Sequence, residues 1–523
     1  MIRILAIVAA ATVVSTTSAV HHRSNKASVT ASPPTVQLDV AALLTAAHGA
    51  PRAICSLAAR SLRNNGWGDG IDAPATPLGT SHTQSEARYD ELPASDVAKL
   101  MDALSSDDMC VRAVAIQLIG DQERASVAPA LVTRLESSDA SLRMIAAYGL
   151  GLVDAEDATA QLIHALRDGT PDVRANAAWA LGRIESGSAL GTLISLFRDD
   201  SPMVREAAVV ASGRIDSSSS LAPLRQALQH DAVASVRRSA AWALGQLHSS
   251  GASGALAGAL SKDSDARVRE MSAWAIGNTN GSGAQAALSS ALTSDSDARV
   301  REASAWALGN NDASGPQPAL ANALRNDADA TVRETAAWAL SNSNSPEVQS
   351  ALVSALKSDV REKVRESAAW ALGQRENTAA VDPLSGAVES DRSASVRGTA
   401  AWALGQVGVT NSGGTSALVH LLKDSDDDNR LKAAWALGQI SDTSAVGDIG
   451  AALSRERNPD VQRALIRALT RSGGASVEVM KGLVNSKNPA EREAAVRALA
   501  GRNSSNPWPW PEPRPHPRPR PWP

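Results

Sequence analysis

Apolar positions along most of the chain form short helical stripes, and these stripes recur at a nearly fixed interval. From Cys110 onward, the segment Val-Arg-x-x-Ala-Ala-Trp-Ala-Leu-Gly or a variant of it returns every 30 to 33 residues. A helical pattern inside a period of this length is typical of an α-solenoid, in which each unit buries its apolar stripe against its neighbours. The first position of the segment falls at Val111, Leu142, Val173, Val204, Val236, Val268, Val300, Val332, Val364, Val396, Asn429, Val461 and Glu491.

One unit illustrates the predicted pair of helices. Ser345 followed by Pro346 is a typical N-cap and first helical position, and apolar residues at helical spacing then predict a first helix to about Lys357. A second helix is predicted to begin near Val364. It is expected to end at Gly373, because glycine adopts the left-handed C-terminal cap conformation most easily. The unit is therefore a helix, a short turn and a second helix.

The repeat resembles a known family. Asp295, Val300-Arg301 and the segment Ala305-Trp306-Ala307-Leu308-Gly309 are similar to the HEAT-like repeats of phycobilin lyases and of many bacterial interaction proteins, and the resemblance covers residues 94–501. It implies an all-α fold, an α-solenoid (superhelix) of about 13 helix-pair repeats. Such repeats serve scaffolds, regulators and a few enzymes, so the resemblance specifies the fold better than the function.

The regions outside the repeats differ in composition. Residues 1–19 combine Arg3, an apolar run and small residues before the predicted cleavage site, as in a secretory signal peptide. Residues 20–35 are predicted to be a disordered linker, and residues 36–93 an N-terminal helical cap with a Gly/Pro-rich loop. Residues 502–523 alternate proline with other residues, which predicts a polyproline II tail. This organisation predicts a periplasmic or secreted protein without a membrane span.

Composition narrows the class of partner. The 523 residues carry a formal net charge of −4, so no strong positive field indicates nucleic-acid binding. Twelve Trp stand against two Tyr and one Phe, which indicates that one Trp position was copied with the repeat. Cys55 and Cys110 are too few for a disulfide scaffold or an all-cysteine zinc site, but in an oxidising compartment they are predicted to form one disulfide.

Nine successive units carry an Asp six residues before an Arg. One such pair per repeat is distributed along the chain, whereas a catalytic acid/base set converges on one place. The HEAT resemblance implies that these residues form a structural ladder between repeats. The ladder residues are Asp168, Arg174, Asp199, Arg205, Asp231, Arg237, Asp263, Arg269, Asp295, Arg301, Asp327, Arg333, Asp359, Arg365, Asp391, Arg397, Asp424 and Arg430.

A second row lies six residues after the first position of each segment, and eight of its members are Trp. At 100° per residue these indoles point away from the main apolar stripe, and a Glu four residues earlier shares their side in four units. Two interpretations stay open: packing between repeats, or a binding row on the concave face. The candidate binding residues are Trp179, Trp242, Trp274, Trp306, Trp338, Trp370, Trp402, Trp435, Glu270, Glu302, Glu334 and Glu366.

No enzyme motif was found. The sequence lacks a His-Glu pair, a phosphate-binding G-x-x-x-x-G-K-[ST] loop and a G-x-S-x-G elbow, and the run Asp424–Asp428 lacks the Gly and Glu of a calcium loop. The resulting hypothesis is a monomeric, non-enzymatic scaffold without metal or cofactor that binds a protein partner on its concave face. The alternative is glycan binding by the Trp row, with Glu302 and Asn310 as polar contacts. An enzyme like the phycobilin lyases is the less favoured alternative.

Overall fold

The computed structural model describes residues 39–50, 92–120, 122–279, 282–310, 317–343, 345–375, 377–408 and 412–472, together with six isolated positions between 481 and 496. Within these residues it contains 25 α-helices and short 3-10 turns, and no β-strand. The predicted all-α class is therefore confirmed. The helices form two compact units, one ending at His248 and one beginning at Ser249.

The first unit holds five helix pairs preceded by a single short helix. Each even-numbered helix is the first of its pair, and the odd-numbered helix that follows carries the repeated segment. The helices are α1 (Val40–Ala47), α2 (Ala94–Ala103), α3 (Met109–Gly120), α4 (Arg124–Leu135), α5 (Ala140–Leu152), α6 (Thr159–Ala165), α7 (Pro171–Arg183), α8 (Leu190–Ser195), α9 (Pro202–Arg214), α10 (Leu221–His230) and α11 (Ala234–Gln246).

The second unit holds seven further pairs with the same alternation. A thirteenth predicted pair, around Glu491, lies almost wholly outside the described residues. The helices are α12 (Ser253–Lys262), α13 (Ala266–Asn278), α14 (Gln285–Ser294), α15 (Ala298–Asn310), α16 (Gln317–Asn326), α17 (Ala330–Ala339), α18 (Pro346–Ser358), α19 (Glu362–Gln374), α20 (Val381–Ser390), α21 (Ala394–Val407), α22 (Ser412–Leu421), α23 (Asp427–Ile440), α24 (Val446–Leu453) and α25 (Pro459–Arg471).

Each second helix packs against its own first helix and against the second helices of adjacent repeats in the same unit. The apolar stripe of α15, which includes Val300, Ala303 and Leu308, is buried, and Leu288 and Leu292 of α14 are buried beside it. Burying such aliphatic side chains stabilises the fold by roughly 1.5 to 3 kcal/mol each. Because a single pair has nothing to cover its outer flank, the stabilisation depends on the array.

The predicted start of α18 is confirmed in detail. Ser345 is its N-cap, the Ser345 hydroxyl accepts a hydrogen bond from the Val348 amide at 3.2 Å, and Pro346 occupies the first turn. Three 3-10 residues lead into several other first helices instead. These 3-10 turns are Glu156–Ala158, Gly187–Ala189, Ser218–Ser220, Ser250–Ala252, Ser282–Ala284, Thr378–Ala380 and Thr443–Ala445.

The prediction that Gly373 ends its helix as a left-handed cap is wrong. Gly373 lies inside α19, which continues to Gln374, and its φ is not positive. A Cβ added to Gly373 would lie 2.7 Å from the Cα of Ala403 on the next second helix. The glycine is therefore needed because two second helices approach closely there, and not because the chain turns.

Among the described residues, all the left-handed ones except Gly49 lie three positions beyond the repeated glycine. They follow Gly151, Gly182, Gly213, Gly245, Gly405 and Gly438. Only one of these six residues is itself a glycine, so the chain reversal does not require glycine at this place. They are Asp154, Glu185, Asp216, His248, Gly408 and Ser441.

A buried arginine interrupts the core of the second unit. Arg375, at the C-cap of α19, is 7% exposed, whereas Val407 occupies the same place in the next repeat. The Arg375 Nη2 donates to the Ser345 carbonyl at 3.3 Å, but Nε and Nη1 have no hydrogen-bond partner. Burial lowers the pKa of Arg375. Because an arginine remains charged at neutral pH, this burial opposes folding.

We therefore expect Arg375→Val to raise the free energy of unfolding by about 2 kcal/mol, in line with apolar replacement of other buried charges. Urea unfolding followed by circular dichroism checks this, with Arg325→Val as the control because the Arg325 side chain is more exposed. An unchanged or lower midpoint for Arg375→Val would contradict it.

Several predictions fall on residues outside the described part of the chain. These are the signal peptide (1–19), the linker (20–35), most of the loop at 64–93 and the tail (502–523). Of the predicted cap, α1 packs on α2 and α3, and the Asp108 carboxylate accepts from the Gly49 amide. Cys110 is buried in α3, but Cys55 lies outside the described residues, so the disulfide stays a prediction.

Candidate functional site

The Asp and Arg residues of the repeated turns connect neighbouring repeats. Arg269 of α13 donates from Nε to Asp295 Oδ2 at 2.8 Å and from Nη2 to Asp295 Oδ1 at 3.0 Å. The same Oδ1 accepts from the Asp297 amide at 2.9 Å. Arg269 Nη1 also donates to the Asp263 carbonyl at 3.0 Å, in its own turn. The six-residue spacing in the sequence thus corresponds to a backbone contact, and the carboxylate partner belongs to the next repeat.

This arrangement repeats within both units. Of the predicted ladder residues, Arg237 and Asp263 lie in different units. Two members of the observed row were not among the predicted residues: Arg143, whose own turn begins with Ser137, and Glu456, which takes the place of an Asp. The ion pairs are Arg143–Asp168, Arg174–Asp199, Arg205–Asp231, Arg269–Asp295, Arg301–Asp327, Arg333–Asp359, Arg365–Asp391, Arg397–Asp424 and Arg430–Glu456.

The ladder makes the stability of the fold dependent on pH. Burial raises the pKa of Asp295, but the bonds from Arg269 and from the Asp297 amide lower it more, so the pKa lies below its ordinary value. The pKa values of Asp359 and Asp391 are lowered in the same way. Such carboxylates contribute stability above their unfolded pKa, near 3.8, and this contribution is lost as the pH falls through the lower folded value.

We therefore expect the thermal midpoint to fall steeply between about pH 4 and pH 2, as these carboxylates protonate. Differential scanning calorimetry in buffers of equal ionic strength measures it. A midpoint that stays level down to pH 2 would contradict a stabilising role for the ladder.

The Trp row lies on the second helices, and its members differ in exposure. Trp274, Trp306, Trp338 and Trp370 of four consecutive repeats are half-buried, as is Trp435. The four on α13, α15, α17 and α19 each follow a glutamate by four residues. We name these eight side chains the indole–carboxylate face: Trp274, Trp306, Trp338 and Trp370 with Glu270, Glu302, Glu334 and Glu366.

Three of the predicted binding indoles are buried. Trp179, Trp242 and Trp402 are 8%, 7% and 3% exposed, so the expectation that they offer surface to a partner is corrected. In the first unit, the ring of Trp179 stacks on Tyr148 at 4.8 Å between centroids, and the guanidinium of Arg183 covers it at 5.5 Å. The six-membered rings of Trp179, Trp242 and Trp402 lie against Gly151, Gly213 and Gly373 of the preceding second helices.

The indoles also take part in packing between repeats. A Cβ added to Gly277 would lie 2.6 Å from Cζ3 of Trp306, and one added to Gly309 would lie 3.1 Å from Cζ3 of Trp338. The six-membered ring of each indole therefore rests on the glycine of the preceding second helix. A ring edge of Trp306 and of Trp338 is therefore packed between repeats, while part of each indole stays exposed.

Two glutamates of the face, Glu302 and Glu334, have raised pKa values. Burial raises the pKa of Glu302, and the charges of Asp329, Glu270 and Glu334 raise it further, against a lowering by the Thr331 hydroxyl. Burial also raises the pKa of Glu334 and the charge of Glu366 adds to this, whereas the charges of Lys363 and Arg361 lower it. Lys363 forms its ion pair with Glu366, and Arg299 forms its ion pair with Asp297, both at 2.8 Å. In the part of the chain that the structure describes, neither Glu302 nor Glu334 forms an ion pair.

Of one polar row on the second helices, only Asn310 was predicted from the sequence as a polar contact. Asn310, four residues after Trp306, donates from Nδ2 to the Gly277 carbonyl at 2.8 Å, and Arg183 donates in the same way to the Gly151 carbonyl at 3.0 Å. The signal was present, because polar residues recur four positions after the row of indoles. Asn310 is exposed beside Trp306 and extends the same surface.

The described residues do not form a metal site or a membrane-spanning helix. No group of three or more His, Cys, Asp or Glu side chains is arranged there to hold a metal ion. Asp424 belongs to the ladder, and Asp426 caps α23 by accepting from the Asp428 amide at 2.8 Å. Of the helices described, none has the length and apolarity needed to cross a membrane.

The family follows from these features. A family model described as HEAT repeats matches residues 97–172, 159–244, 223–309, 317–405 and 415–500. Helix pairs in series, packed second helices and an Arg–carboxylate ladder define an α-solenoid, and the chain belongs to the HEAT-repeat family. No curated protein matches its sequence significantly.

Solved structures show the same fold. The Kap95p chain of the Kap95p–Nup1 complex has a TM-score of 0.52 at 12% identity, covering 78% of this chain and 67% of that one. Kap95p with RanGDP has a TM-score of 0.51 at 12% identity, covering 78% and 66%. The chain thus spans about two thirds of Kap95p, and at this identity the likeness concerns the fold alone.

Proposed function

We propose that this protein is a non-enzymatic scaffold that binds a protein partner on the indole–carboxylate face. The observation that carries the proposal is the pair Glu302 and Glu334: two half-buried carboxylates that form no ion pair among the described residues, on second helices that also carry half-buried indoles. Indoles supply large rigid contact area with little entropy loss, and unpaired carboxylates supply attraction for a partner's cations.

The electrostatics support a binding role over a purely structural one. A solenoid selected for stability alone gains nothing from carboxylates that repel one another while partly buried. Polar groups that oppose folding are concentrated at functional sites. The ladder, in which every carboxylate has an arginine, serves stability in the same repeats. The proposed partner presents Lys or Arg side chains at the spacing of the repeats, about 10 Å.

The proposal predicts opposite effects on stability and binding. Replacing both Glu302 and Glu334 with Gln should raise the urea midpoint at pH 7, because a raised folded pKa means that stability falls as the pH rises through it. The gain should vanish near pH 4, where both residues are protonated in the native state. The same variant should bind the partner less strongly. A structural role for these carboxylates would instead lower the midpoint.

Photo-crosslinking from defined positions tests the face directly. A photoreactive residue replaces the exposed Asn310 on α15, or the exposed Glu389 on α20 as the control. In extracts of the producing cells, we expect a discrete protein adduct from position 310, absent from position 389 and lost with Glu302→Gln/Glu334→Gln. Equal labelling from both positions would contradict the proposed face.

The remaining proposals have separate tests. Kap95p binds RanGDP in one of these structures and Nup1 in the other, and we extend protein binding, without those partners, to this chain.

Glycan binding, the alternative, would appear as glycan-array signal lost on substituting Trp306 and Trp338. We also propose export to the periplasm or outside the cell, which N-terminal sequencing of the secreted protein checks.

A further inference from the structure

The segment 507–523 is complementary in charge to the indole–carboxylate face. Its sequence contains Arg514, Arg518 and Arg520 against one acid, Glu512, a net charge of +2 with His516 neutral. The face presents four glutamates on consecutive second helices, and the two in the middle, Glu302 and Glu334, form no ion pair with any described residue. A chain that keeps unpaired carboxylates on one surface and clustered arginines in one segment has the components of an internal contact.

Segment 507–523 and the indole–carboxylate face also match in period. Proline at every second position favours polyproline II, which has three residues per turn and advances about 9.3 Å per turn. Second helices of a solenoid are spaced by about 10 Å. Because prolines alternate, one side of the segment presents Trp508, Pro511, Arg514, Pro517 and Arg520. Arginines therefore recur on that side every six residues, about 19 Å apart, which corresponds to two repeats.

The groups that would meet are chemically suited. Proline-rich segments dock between aromatic side chains because the preformed helix loses little entropy. An arginine guanidinium binds a carboxylate in bidentate fashion and stacks on an indole face. With arginines over alternate repeats, a proline falls on the indole of the repeat between them. The face offers both kinds of group in each repeat.

The length of the chain allows the contact. The last described helix, α25, ends at Arg471 and lies four repeat steps of about 10 Å, or about 40 Å, from α17. The 46 residues from Arg471 to Pro517 span up to about 150 Å when fully extended, so the chain is long enough for the segment to reach the face.

We propose that segment 507–523 docks in cis across the indole–carboxylate face, with Arg514 near Glu366, Pro517 on Trp338 and Arg520 at Glu302. This inference rests on the proposed function, because it makes the segment an internal competitor for the surface that binds the partner. A partner with cationic side chains then competes with the segment for the same carboxylates.

The test uses the full chain with a photoreactive residue in place of Pro517. We expect an intramolecular crosslink to the tryptic peptide 334–357, which contains Trp338. Its yield should fall at least fivefold with Glu302→Gln/Glu334→Gln and stay unchanged with the control Asp382→Asn/Glu389→Gln, on exposed positions of α20. A photoreactive residue at 515, on another side of the segment, should give a lower yield.

Matched arginine variants test the register. With the photoreactive residue at 517, Arg520→Gln should reduce the yield more than Arg518→Gln, since the two remove the same charge from different sides. Crosslinks confined to other peptides, an absence of crosslinks, or equal effects of the two variants would overturn the proposal. Crosslinked dimers whose yield rises with protein concentration would assign the segment to a second copy and likewise overturn docking in cis.

The outcome is separable from that of the proposed function. If the segment does not dock, adduct formation from position 310 is unaffected and the scaffold function stands. If the segment docks and no partner adduct forms, the scaffold function fails while the internal contact remains. If both hold, Arg514→Gln/Arg520→Gln should increase partner adducts, because the internal competitor is weakened.

Discussion

Replacing Asp295 with Asn is expected to lower the free energy of unfolding by about 3 kcal/mol, near the lower end of what breaking a buried ion pair costs. The carboxylate binds two nitrogens of Arg269 and the Asp297 amide. The side chains of Arg269 and Asp295 are 15% and 9% exposed, so water replaces little of what is lost. Asparagine keeps the shape but leaves the guanidinium without its counter-charge. Urea unfolding at pH 7 measures the change.

The effect should also be visible in the shape of the transition. The pair joins two repeats, and in a linear array the interface energies between neighbours maintain cooperativity. Asp295→Asn should therefore broaden the urea transition as well as shift it. Glu347→Gln is the matched control, because the Glu347–Arg325 pair is exposed at 3.7 Å and should contribute no more than about 0.5 kcal/mol. A similar loss of stability from both variants would show that the ladder pair contributes no more to stability than an exposed ion pair does.

The fold could be predicted because its signals are local and repeated. The helical spacing of Val348, Leu352 and Leu356 and the cap at Ser345 are properties of short segments, and twelve copies reduce the effect of any irregular one. The function of Gly373 was predicted wrongly for the opposite reason. A glycine near the end of a helical pattern fits a cap and a close approach equally well, and only the neighbouring helix decides between them.

The site was predictable in kind but not in extent. The sequence placed the indoles on one side of the second helices, yet it could not show that Trp402 is buried while Trp370 is half-buried. In the repeat of Trp402, Gly398 stands in place of the glutamate, and a Cβ added there would lie 3.1 Å from the Lys432 side chain of the following repeat. The sequence also did not show that each ladder arginine binds the carboxylate of the next repeat. The spacing of six residues corresponds only to the contact between the arginine and the backbone carbonyl of its own turn.

The other large expected effect concerns the repeated glycines, at which neighbouring second helices approach each other closely. A Cβ added to Gly309 would lie 2.6 Å from the Cβ and 2.7 Å from the Cα of Ala339, and 3.1 Å from Trp338. The backbone of α17 cannot withdraw without parting the two repeats. We expect Gly309→Ala to destabilise the protein by about 2 to 3 kcal/mol, as overpacking of a close-packed interior does.

The matched substitution elsewhere should have the opposite sign. Gly386 lies inside α20, exposed and with no atom within 4 Å of an added Cβ. Gly386→Ala should therefore stabilise the protein by about 0.5 to 1 kcal/mol through helix propensity alone. Urea midpoints of the two variants measured side by side decide the matter. Because Trp338 rests on Gly309, Gly309→Ala should also shift the tryptophan emission and weaken adduct formation from position 310. Stabilisation by both alanines would mean that the second helices are not in close contact.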